Sequence, residues 1–315
     1  MTSIPFKSIL ILGAGELGIE VVRAISNKQA VRKKHVSLTV ALRPTASSAS
    51  KDASAIEALG CSIIRHDIAT LDNTELRRIL GSYDAVVSCL GFAAGPGVQI
   101  KITRAALAAR IKRFFPWQFG VDYDAIGRNS GQTLFDEQLD VRELLRAQND
   151  VDWVIVSTGV FMSFVFEDYF GVVEGAKDHT IGSRPTVRAL GSWDNGLSVT
   201  AVEDIGSLTA AILFDTTVKQ QIVYTSGDTF TYAELAKVVG DCLQKPVDEE
   251  LWTLEQLEAD LNKDPEDTIK KYRVAFAHAR GVSWEKARTY NEQSKIPVSD
   301  LAHWIRQNIV QEKAA

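Results

Sequence analysis

The stretch Gly13-Ala14-Gly15-Glu16-Leu17-Gly18 decides the fold of this chain. It follows directly on the apolar run Ile9-Leu10-Ile11-Leu12 and leads directly into Ile19-Glu20-Val21-Val22. A strand, a glycine turn and the start of a helix, in that order, are typical of a dinucleotide-binding site. The first glycine permits the tight turn, the second lets the backbone approach a pyrophosphate, and the third lets helix and strand pack closely. The alternative is a tight turn that binds nothing. We predict that the bound dinucleotide contacts Gly13, Gly15, Glu16, Leu17 and Gly18.

The end of the second strand indicates which dinucleotide is bound. Residues 36–42 predict that strand, and NAD-binding folds usually place an acidic residue at its tip to bind the ribose 2′-hydroxyl. No acidic residue lies between Val36 and Thr45, and Arg43 occupies the tip, with hydroxyl residues and Lys51 after it. A guanidinium binds a phosphate through paired hydrogen bonds, whereas a carboxylate would repel it. The pattern favours NADPH over NADH, with Arg43 and Lys51 as ligands. The alternative is an arginine that is solvated in a polar loop.

The composition is typical of a soluble globular enzyme. The 315 residues are 45% hydrophobic and 24% charged, which is enough for one large domain or two smaller ones. A net charge of −5 gives no reason to expect a nucleic acid or an anionic membrane as partner. The three scattered cysteines lack a CxxC motif, so we expect neither a disulfide framework nor a metal site, and we expect a reducing compartment. The N-terminal apolar run is too short to span a membrane.

Strands and helices alternate along the first half of the chain, which predicts an α/β, doubly wound parallel-sheet Rossmann fold. Strands are predicted at 9–12, 36–42, 61–65, 85–88, 112–115 and 152–156, and later helices at 72–80, 98–110 and 132–148. Ligands of such sheets bind where the strands end, so we expect Asp67, Cys89 and Gly91 to contact the dinucleotide. Asp67 could accept from the adenine amino group, or it could simply form a turn.

The pattern changes after Ser157. We predict a Rossmann domain over 1–158 and a smaller, mainly C-terminal substrate lobe with C-terminal helices over 159–315, some segments of which return to the sheet. The motif Asp194-Asn195-Gly196 predicts a hairpin that joins strands at 186–190 and 197–200. A dense apolar segment supplies candidate substrate-binding residues, which form either the core or the apolar wall beside the nicotinamide: Phe161, Met162 and Phe164.

Residues 113–120, which read RFFPWQFG, resemble a family segment. The match is to RFFPSEFG in the isoflavone reductase, pinoresinol-lariciresinol reductase and phenylcoumaran benzylic ether reductase group of the NmrA-like, atypical short-chain dehydrogenases. The resemblance covers about Lys7 to Phe230, and the glycine turn, Arg43 and Lys51 also fit it. It implies a cytosolic enzyme that reduces small aromatic molecules with NADPH.

The chain departs from the family at the position of the catalytic lysine, which in the plant members lies three residues after a phenylalanine. The matching residue here is Gln138. The spacing of Leu134, Gln138, Val141 and Leu145 places them on one helix stripe, so we expect Gln138 to point inward. An inward amide needs hydrogen-bond partners, and a nicotinamide carboxamide, a ribose hydroxyl or a substrate oxygen would serve. The alternative is a structural glutamine with protein partners.

The second departure is Trp117-Gln118 in place of Ser-Glu. Trp117 either stacks on a planar substrate or packs within the protein. Because glutamine does not exchange protons, another group must donate one, and the candidates are the phenols of Tyr123 and Tyr169. His179 in a polar loop is a third candidate, and water is a fourth.

Together these observations predict a cytoplasmic, NADPH-dependent oxidoreductase, monomeric or homodimeric. Its substrate is expected to be a small aromatic or polyketide-like carbonyl, enone or benzylic ether. The first alternative is a non-catalytic NmrA-like regulator that senses NADP(H), because the lysine is missing. The second is a scaffold with a vestigial nucleotide site, which would bind neither dinucleotide.

Replacing Arg43 tests the choice of dinucleotide. We expect Arg43→Ala to weaken NADPH binding by about 1.5–3 kcal/mol, the range for hydrogen bonds to charged groups, and to leave NADH binding almost unchanged. Titration calorimetry with both dinucleotides measures the difference. Equal losses for NADPH and NADH would contradict the proposed specificity.

Overall fold

The computed structural model describes residues 5–44, 51–178, 180 and 182–310, and it describes the side chains of the third helix from residue 53 onward. The chain forms two compact units. The first consists of the described parts of Met1–Phe119, Glu137–Val156 and Ile205–Val223. The second consists of Gly120–Asp136, Ser157–Asp204 and the described residues from Tyr224 onward. None of the described helices is long and apolar enough to cross a membrane.

A seven-stranded sheet forms the centre of the first unit. Its strands are β1 (Ser8–Leu12), β2 (Ser37–Leu42), β3 (Ser62–Arg65), β4 (Ala85–Ser88), β5 (Arg113–Phe115), β6 (Asp152–Ser157) and β11 (Gln221–Tyr224). The order is β3-β2-β1-β4-β5-β6-β11, and neighbouring strands from β3 to β6 are parallel. This order reverses beside β1, so the doubly wound Rossmann fold is confirmed.

Helices connect these strands because the strands are parallel and need crossovers. They are α1 (Glu16–Ser26), α2 (Gln29–Arg32), α3 (Lys51–Ala58), α4 (Asn73–Leu80) and α5 (Val98–Ala109). Two longer helices, α7 (Thr133–Arg146) and α9 (Val202–Phe214), contribute residues to both units. The strands are mainly apolar, and Leu10, Leu12 and Phe114 pack with Ile102 and Leu145 in one buried core.

The glycine turn sets the position of α1. Gly13 adopts a positive φ of 86°, and its N–H donates to the carbonyl of Ala41 on β2 at 3.0 Å. A Cβ atom on residue 18 would overlap the carbonyl oxygen of Gly13 and lie 3.3 Å from the Cβ of Cys89. Only glycine at position 18 therefore allows α1 to pack this closely on the turn.

Arg113, the first residue of the RFFP segment, holds β5 against the end of α9. Its guanidinium is buried and donates to the carbonyl oxygens of Ile212, Asp215 and Val218 at 2.9, 3.0 and 2.7 Å. The carbonyls of Ile212 and Asp215 lie at the C-terminal end of α9, where backbone acceptors lack helical partners, and that of Val218 lies in the turn that follows. The arginine thus has a structural role in the segment that carries the family resemblance.

The second unit contains two three-stranded sheets and several helices. The strands are β7 (Val160–Phe161), β8 (Val173–Glu174), β9 (Thr186–Leu190), β10 (Gly196–Thr200), β12 (Asp228–Thr231) and β13 (Asp248–Trp252). The helices are α6 (Tyr123–Ile126), α8 (Met162–Val165), α10 (Tyr232–Leu243), α11 (Leu254–Lys263), α12 (Thr268–Ala277), α13 (Tyr290–Gln293) and α14 (Leu301–Ile305). The sheet orders are β12-β10-β7 and β13-β9-β8.

The predicted hairpin between β9 and β10 is wrong. Both strands exist, but β9 pairs with β13 and β8, while β10 pairs with β12 and β7. The amide of Asn195 donates to the carbonyls of Leu190 and Ala277, and the N–H of Gly191 donates to that of Trp252. These contacts with distant segments, rather than cross-strand pairing, fix the turn.

The close packing at Gly18 predicts a large loss of stability for Gly18→Ala. The added methyl group would meet a backbone oxygen that cannot rotate away, so we expect a loss of about 3 kcal/mol, at the upper end for overpacking. Gly15→Ala is the matched control, since a Cβ there has no neighbour within 4 Å, and we expect it to cost at most about 1 kcal/mol. Urea unfolding measures both variants. Equal losses of unfolding free energy in the two variants would show that the contact with Gly13 does not restrict residue 18 to glycine.

Candidate dinucleotide site

The glycine turn leaves room for a ligand at the start of α1. Gly15 is the N-cap residue of α1, and open space surrounds the place where its side chain would be. Having no side chain, Gly15 cannot cap the helix itself, so the helix N-terminus is suited to binding an anion. Glu16 is exposed at this end, whereas Leu17 is buried and anchors the first turn.

Arg43 and Asp67 follow β2 and β3, the two strands beside β1. Arg43 is exposed and makes no hydrogen bond or ion pair with another described residue, so its guanidinium is available to a ligand. Asp67 is half-buried, and its carboxylate accepts from the N–H of Ala69 at 3.2 Å, which is the contact of a turn-forming residue. The predicted role of Lys51 concerns a side chain outside the described part of the chain.

The loops after β4 and β5 contact each other. Gly91 lies against the face of Trp117, and a Cβ at Gly91 would be 3.1 Å from the Trp117 ring. The ring of Trp117 is half-buried and meets that of Phe119 edge-on at 5.7 Å. Cys89 is buried, and its N–H donates to the carbonyl of Leu12 at 2.8 Å. Burial raises the pKa of the Cys89 thiol, which therefore stays neutral and is not a nucleophile.

Gln138 is the most unusual polar residue of the first unit. Its inward orientation is confirmed, because the side chain is completely buried on α7 with Val141 and Leu145. Neither the amide nitrogen nor the amide oxygen has a hydrogen-bond partner among the described residues. A buried amide without partners costs free energy, so a ligand that supplies both a donor and an acceptor would be stabilised here.

A buried polar chain holds the backbone at Gln138. The amide nitrogen of Gln118 donates to the carbonyl of Gln138 at 2.8 Å, and its oxygen accepts from Nε of Arg142 at 2.9 Å. All three side chains are fully buried. Gln118 thus joins the loop after β5 to α7. Sequence analysis identified Gln118 only as a departure from the family segment and missed this function.

Glu137 holds the same helix from another side. Its carboxylate accepts from the N–H groups of Gly97, Gln99 and Ile100 at 2.9, 2.8 and 3.2 Å, which are the first amides of α5. The side chain of Gln99 in turn donates to the carbonyl of Leu90 at 2.8 Å. The start of α5 is therefore occupied by a carboxylate of the protein. No local spacing relates Glu137 to a helix start about 40 residues earlier, so sequence reasoning missed this contact.

Of the four predicted substrate residues, Trp117 belongs to the first unit, and the other three belong to the second. Met162 is completely buried beside Gly227, whereas Phe161 is half-buried. The ring of Phe164 is half-buried and contacts three aromatic rings, those of Tyr169, Phe170 and Tyr272. Of the three in the second unit, Phe164 thus lies in a cluster that is aromatic and partly open.

The two candidate proton donors differ in exposure. Tyr123 is 2% exposed, and its ring packs on Phe135 at 5.0 Å. Tyr169 is 57% exposed, and its ring meets Phe164 edge-on at 6.0 Å. His179 lies outside the described residues. Tyr272, which the sequence analysis missed, contacts both Phe135 and Phe164. The spacing of Tyr272 and Phe276 on one helix stripe is the signal that could have found it.

Comparison with protein families gives a match over most of the chain. The model of the NmrA-like family matches residues 5–297. A curated relative from Gibberella moniliformis, an "NmrA-like family domain-containing oxidoreductase", is 37% identical over 306 residues, which are 95% of this chain and 97% of the relative. Phenylcoumaran benzylic ether reductase 1 of Arabidopsis thaliana is 26% identical over 231 residues, 72% of this chain and 70% of the relative.

Comparison with solved structures supports the fold. The binary complex of leucoanthocyanidin reductase with NADPH from Vitis vinifera superposes with a TM-score of 0.76. The alignment covers 96% of this chain and 99% of that one at 20% sequence identity. At this identity the likeness establishes a shared architecture.

Proposed function

This chain belongs to the NmrA-like family, and we propose that it is an NADPH-dependent reductase. Its substrate in this proposal is a small aromatic or polyketide-like carbonyl, enone or benzylic ether. The curated relative with 37% identity is named an oxidoreductase, and the match spans nearly the whole of both chains. The observation that carries the proposal is the buried amide of Gln138, which has no partner among the described residues.

The residues of the first unit fit NADPH chemically. The open space at Gly15 accommodates a pyrophosphate beside the N-terminus of α1, and the unengaged guanidinium of Arg43 suits a 2′-phosphate. The amide of Gln138 offers one donor group and one acceptor, which is the complement of a nicotinamide carboxamide. Asp67, Cys89 and Gly91 remain predicted contacts along the same strand ends.

In this proposal, bound NADPH supplies a hydride from nicotinamide C4 to a carbon of the substrate. Gln138 orients the nicotinamide, and the contacts of Glu137 and Gln118 hold the helix that carries it. A proton completes each reaction: it goes to the oxygen of a carbonyl, to the α-carbon of an enone reduced at its β-carbon, or to the oxygen released when the benzylic C–O bond of an ether breaks. Gln138 cannot donate one at neutral pH, so the proton comes from a phenol, Tyr123 or Tyr169, or from water.

One observation favours a second function. Glutamine stands where the plant reductases carry their catalytic lysine, and an amide has neither the charge nor the proton of an ammonium group. A chain that binds NADPH without transferring hydride would act as a sensor of the NADP(H) ratio. In that function Gln138 would bind the nicotinamide, and no hydride transfer would follow.

The unpaired amide predicts opposite effects of Gln138→Leu on stability and on binding. Removing two buried polar atoms without partners should raise the free energy of unfolding without ligand by about 1 kcal/mol. NADPH binding should weaken about tenfold, which corresponds to about 1.4 kcal/mol. Urea unfolding and titration calorimetry measure the two effects.

Gln118→Leu is the matched control, because its amide has two buried partners, and we expect it to destabilise the fold. If Gln138→Leu loses stability like the control, the Gln138 amide has a structural role and the proposed contact with nicotinamide is wrong.

A labelled cofactor distinguishes reductase from sensor. The purified chain is incubated with NADPH deuterated at both C4 positions, together with an aromatic ketone, an aromatic enone, a cyclic benzylic ether and an extract of the source organism. We expect a product whose mass is one dalton higher than with unlabelled NADPH. Tight NADPH binding without labelled product, beside an active control reductase, would favour the sensor instead.

A further inference from the structure

An aromatic cluster in the second unit has a buried base and an open rim. The base consists of Phe135, Phe170 and Phe276, which are 1%, 0% and 3% exposed. The rim consists of Phe164 and Tyr272, which are half-buried, and Tyr169, which is 57% exposed. Partly exposed aromatic rings on a buried aromatic base are suited to bind a flat apolar molecule.

The rings of the rim are held in a fixed arrangement. The ring of Phe164 meets that of Tyr272 edge-on, with the ring centroids 5.9 Å apart. It is tilted by 30° against the ring of Phe170, with the centroids 4.4 Å apart. The ring of Tyr272 also meets that of Phe135 edge-on, with the centroids 5.7 Å apart, and it is tilted against that of Phe276 at 5.9 Å. Contacts within the protein therefore fix the positions of these rings, so their side chains lose little conformational entropy when a ligand binds.

Arg273 fixes the segment that carries Tyr169. Its guanidinium donates to the carbonyls of Tyr169 and Phe170 at 2.8 and 2.9 Å, and it stacks on the ring of Trp252 at 4.7 Å. The backbone beside the rim is thereby joined to α12, the helix that also carries Tyr272. An exposed tyrosine on a segment anchored in this way is positioned rather than freely mobile.

The hydroxyl of Tyr272 is a polar group of this rim that has no hydrogen-bond partner among the described residues. It makes no hydrogen bond with a described residue, whereas the hydroxyl of Tyr224 in the same unit donates to the carboxylate of Asp122 at 2.7 Å. Burial, and to a lesser degree the neighbouring phenol of Tyr123, raise the pKa of Tyr272. The phenol is therefore protonated at neutral pH and can donate a hydrogen bond.

We propose that this rim binds a planar aromatic ring bearing a carbonyl oxygen, and that the hydroxyl of Tyr272 donates a hydrogen bond to that oxygen. The rings of Phe164 and Tyr169 contact the aromatic part of the molecule. This inference rests on the proposed function for its substrate class, and within that class it concerns the aryl ketones and enones. Tyr272 thereby acts as a specificity-determining residue through direct contact with the substrate.

Two probes of matched shape test the proposal: 2-acetylnaphthalene, which carries the carbonyl oxygen, and 2-ethylnaphthalene, which lacks it. Calorimetric titration of the full chain, with and without NADPH, measures their affinities. We expect the wild-type chain to prefer the ketone about three- to tenfold, the range for one neutral hydrogen bond. Tyr272→Phe should abolish this preference and leave the affinity for 2-ethylnaphthalene unchanged.

Two further variants serve as controls. Tyr224→Phe removes a hydroxyl elsewhere in the unit and should keep the preference for the ketone. Phe164→Leu should lower the affinity for both probes equally, because it removes an aromatic ring but no hydrogen bond. The proposal is overturned if the wild-type chain binds neither probe, shows no preference, or keeps its preference in Tyr272→Phe.

These titrations measure binding and not turnover, so they test the role of Tyr272 independently of the proposed reductase activity. A ketone preference that depends on Tyr272, in a chain that transfers no deuterium, would support the binding proposal and contradict the reductase. Deuterium transfer to a ketone, with no preference in the titrations, would support the reductase and overturn the proposed role of Tyr272.

Discussion

The close contact between α1 and the glycine turn is the constraint on which the first unit depends. Because residue 18 has no side chain, the first turn of α1 lies directly against the carbonyl of Gly13 and beside Cys89. This contact places the helix N-terminus at the ends of β1, β2 and β4, whose last residues are aligned in register. The proposed dinucleotide contacts, at the helix end, the residue after β2 and the loop after β4, lie along this edge, and the packing of residue 18 sets the first of them.

The helix α7 is a second organising element, and its contacts are polar. Glu137 binds the first amides of α5, and Gln118 binds the backbone at Gln138 while accepting from Arg142. Two segments from different parts of the sequence, the start of α5 and the loop after β5, are thus held to α7. The amide of Gln138, which has no partner among the described residues, lies within this polar network and is completely buried.

Local patterns predicted much of this architecture. The turn, the strands up to β6 and the burial of Gln138 all depend on spacing within about fifteen residues, where apolar periodicity is informative. Contacts between distant segments were not predictable in this way. The hairpin prediction failed because Asn195 binds Ala277, 82 residues away. Tyr272 was missed because it contacts Phe164, more than 100 residues earlier in the sequence. The contact roles of individual residues at the strand ends remain predictions.

The carboxylate of Glu137 has an electrostatic consequence for how a dinucleotide lies along the sheet. Each helix that follows a parallel strand presents the positive end of its dipole at the same edge. In α5 that end is neutralised by Glu137, and in α4 it is neutralised by Asp72, which accepts from the N–H of Glu75. In α1 the N-cap residue Gly15 supplies no carboxylate, and Glu16 in the first turn is exposed to solvent. In the proposed binding mode, the polarity of these helix ends favours the charged phosphates at α1 and the uncharged nicotinamide near α5.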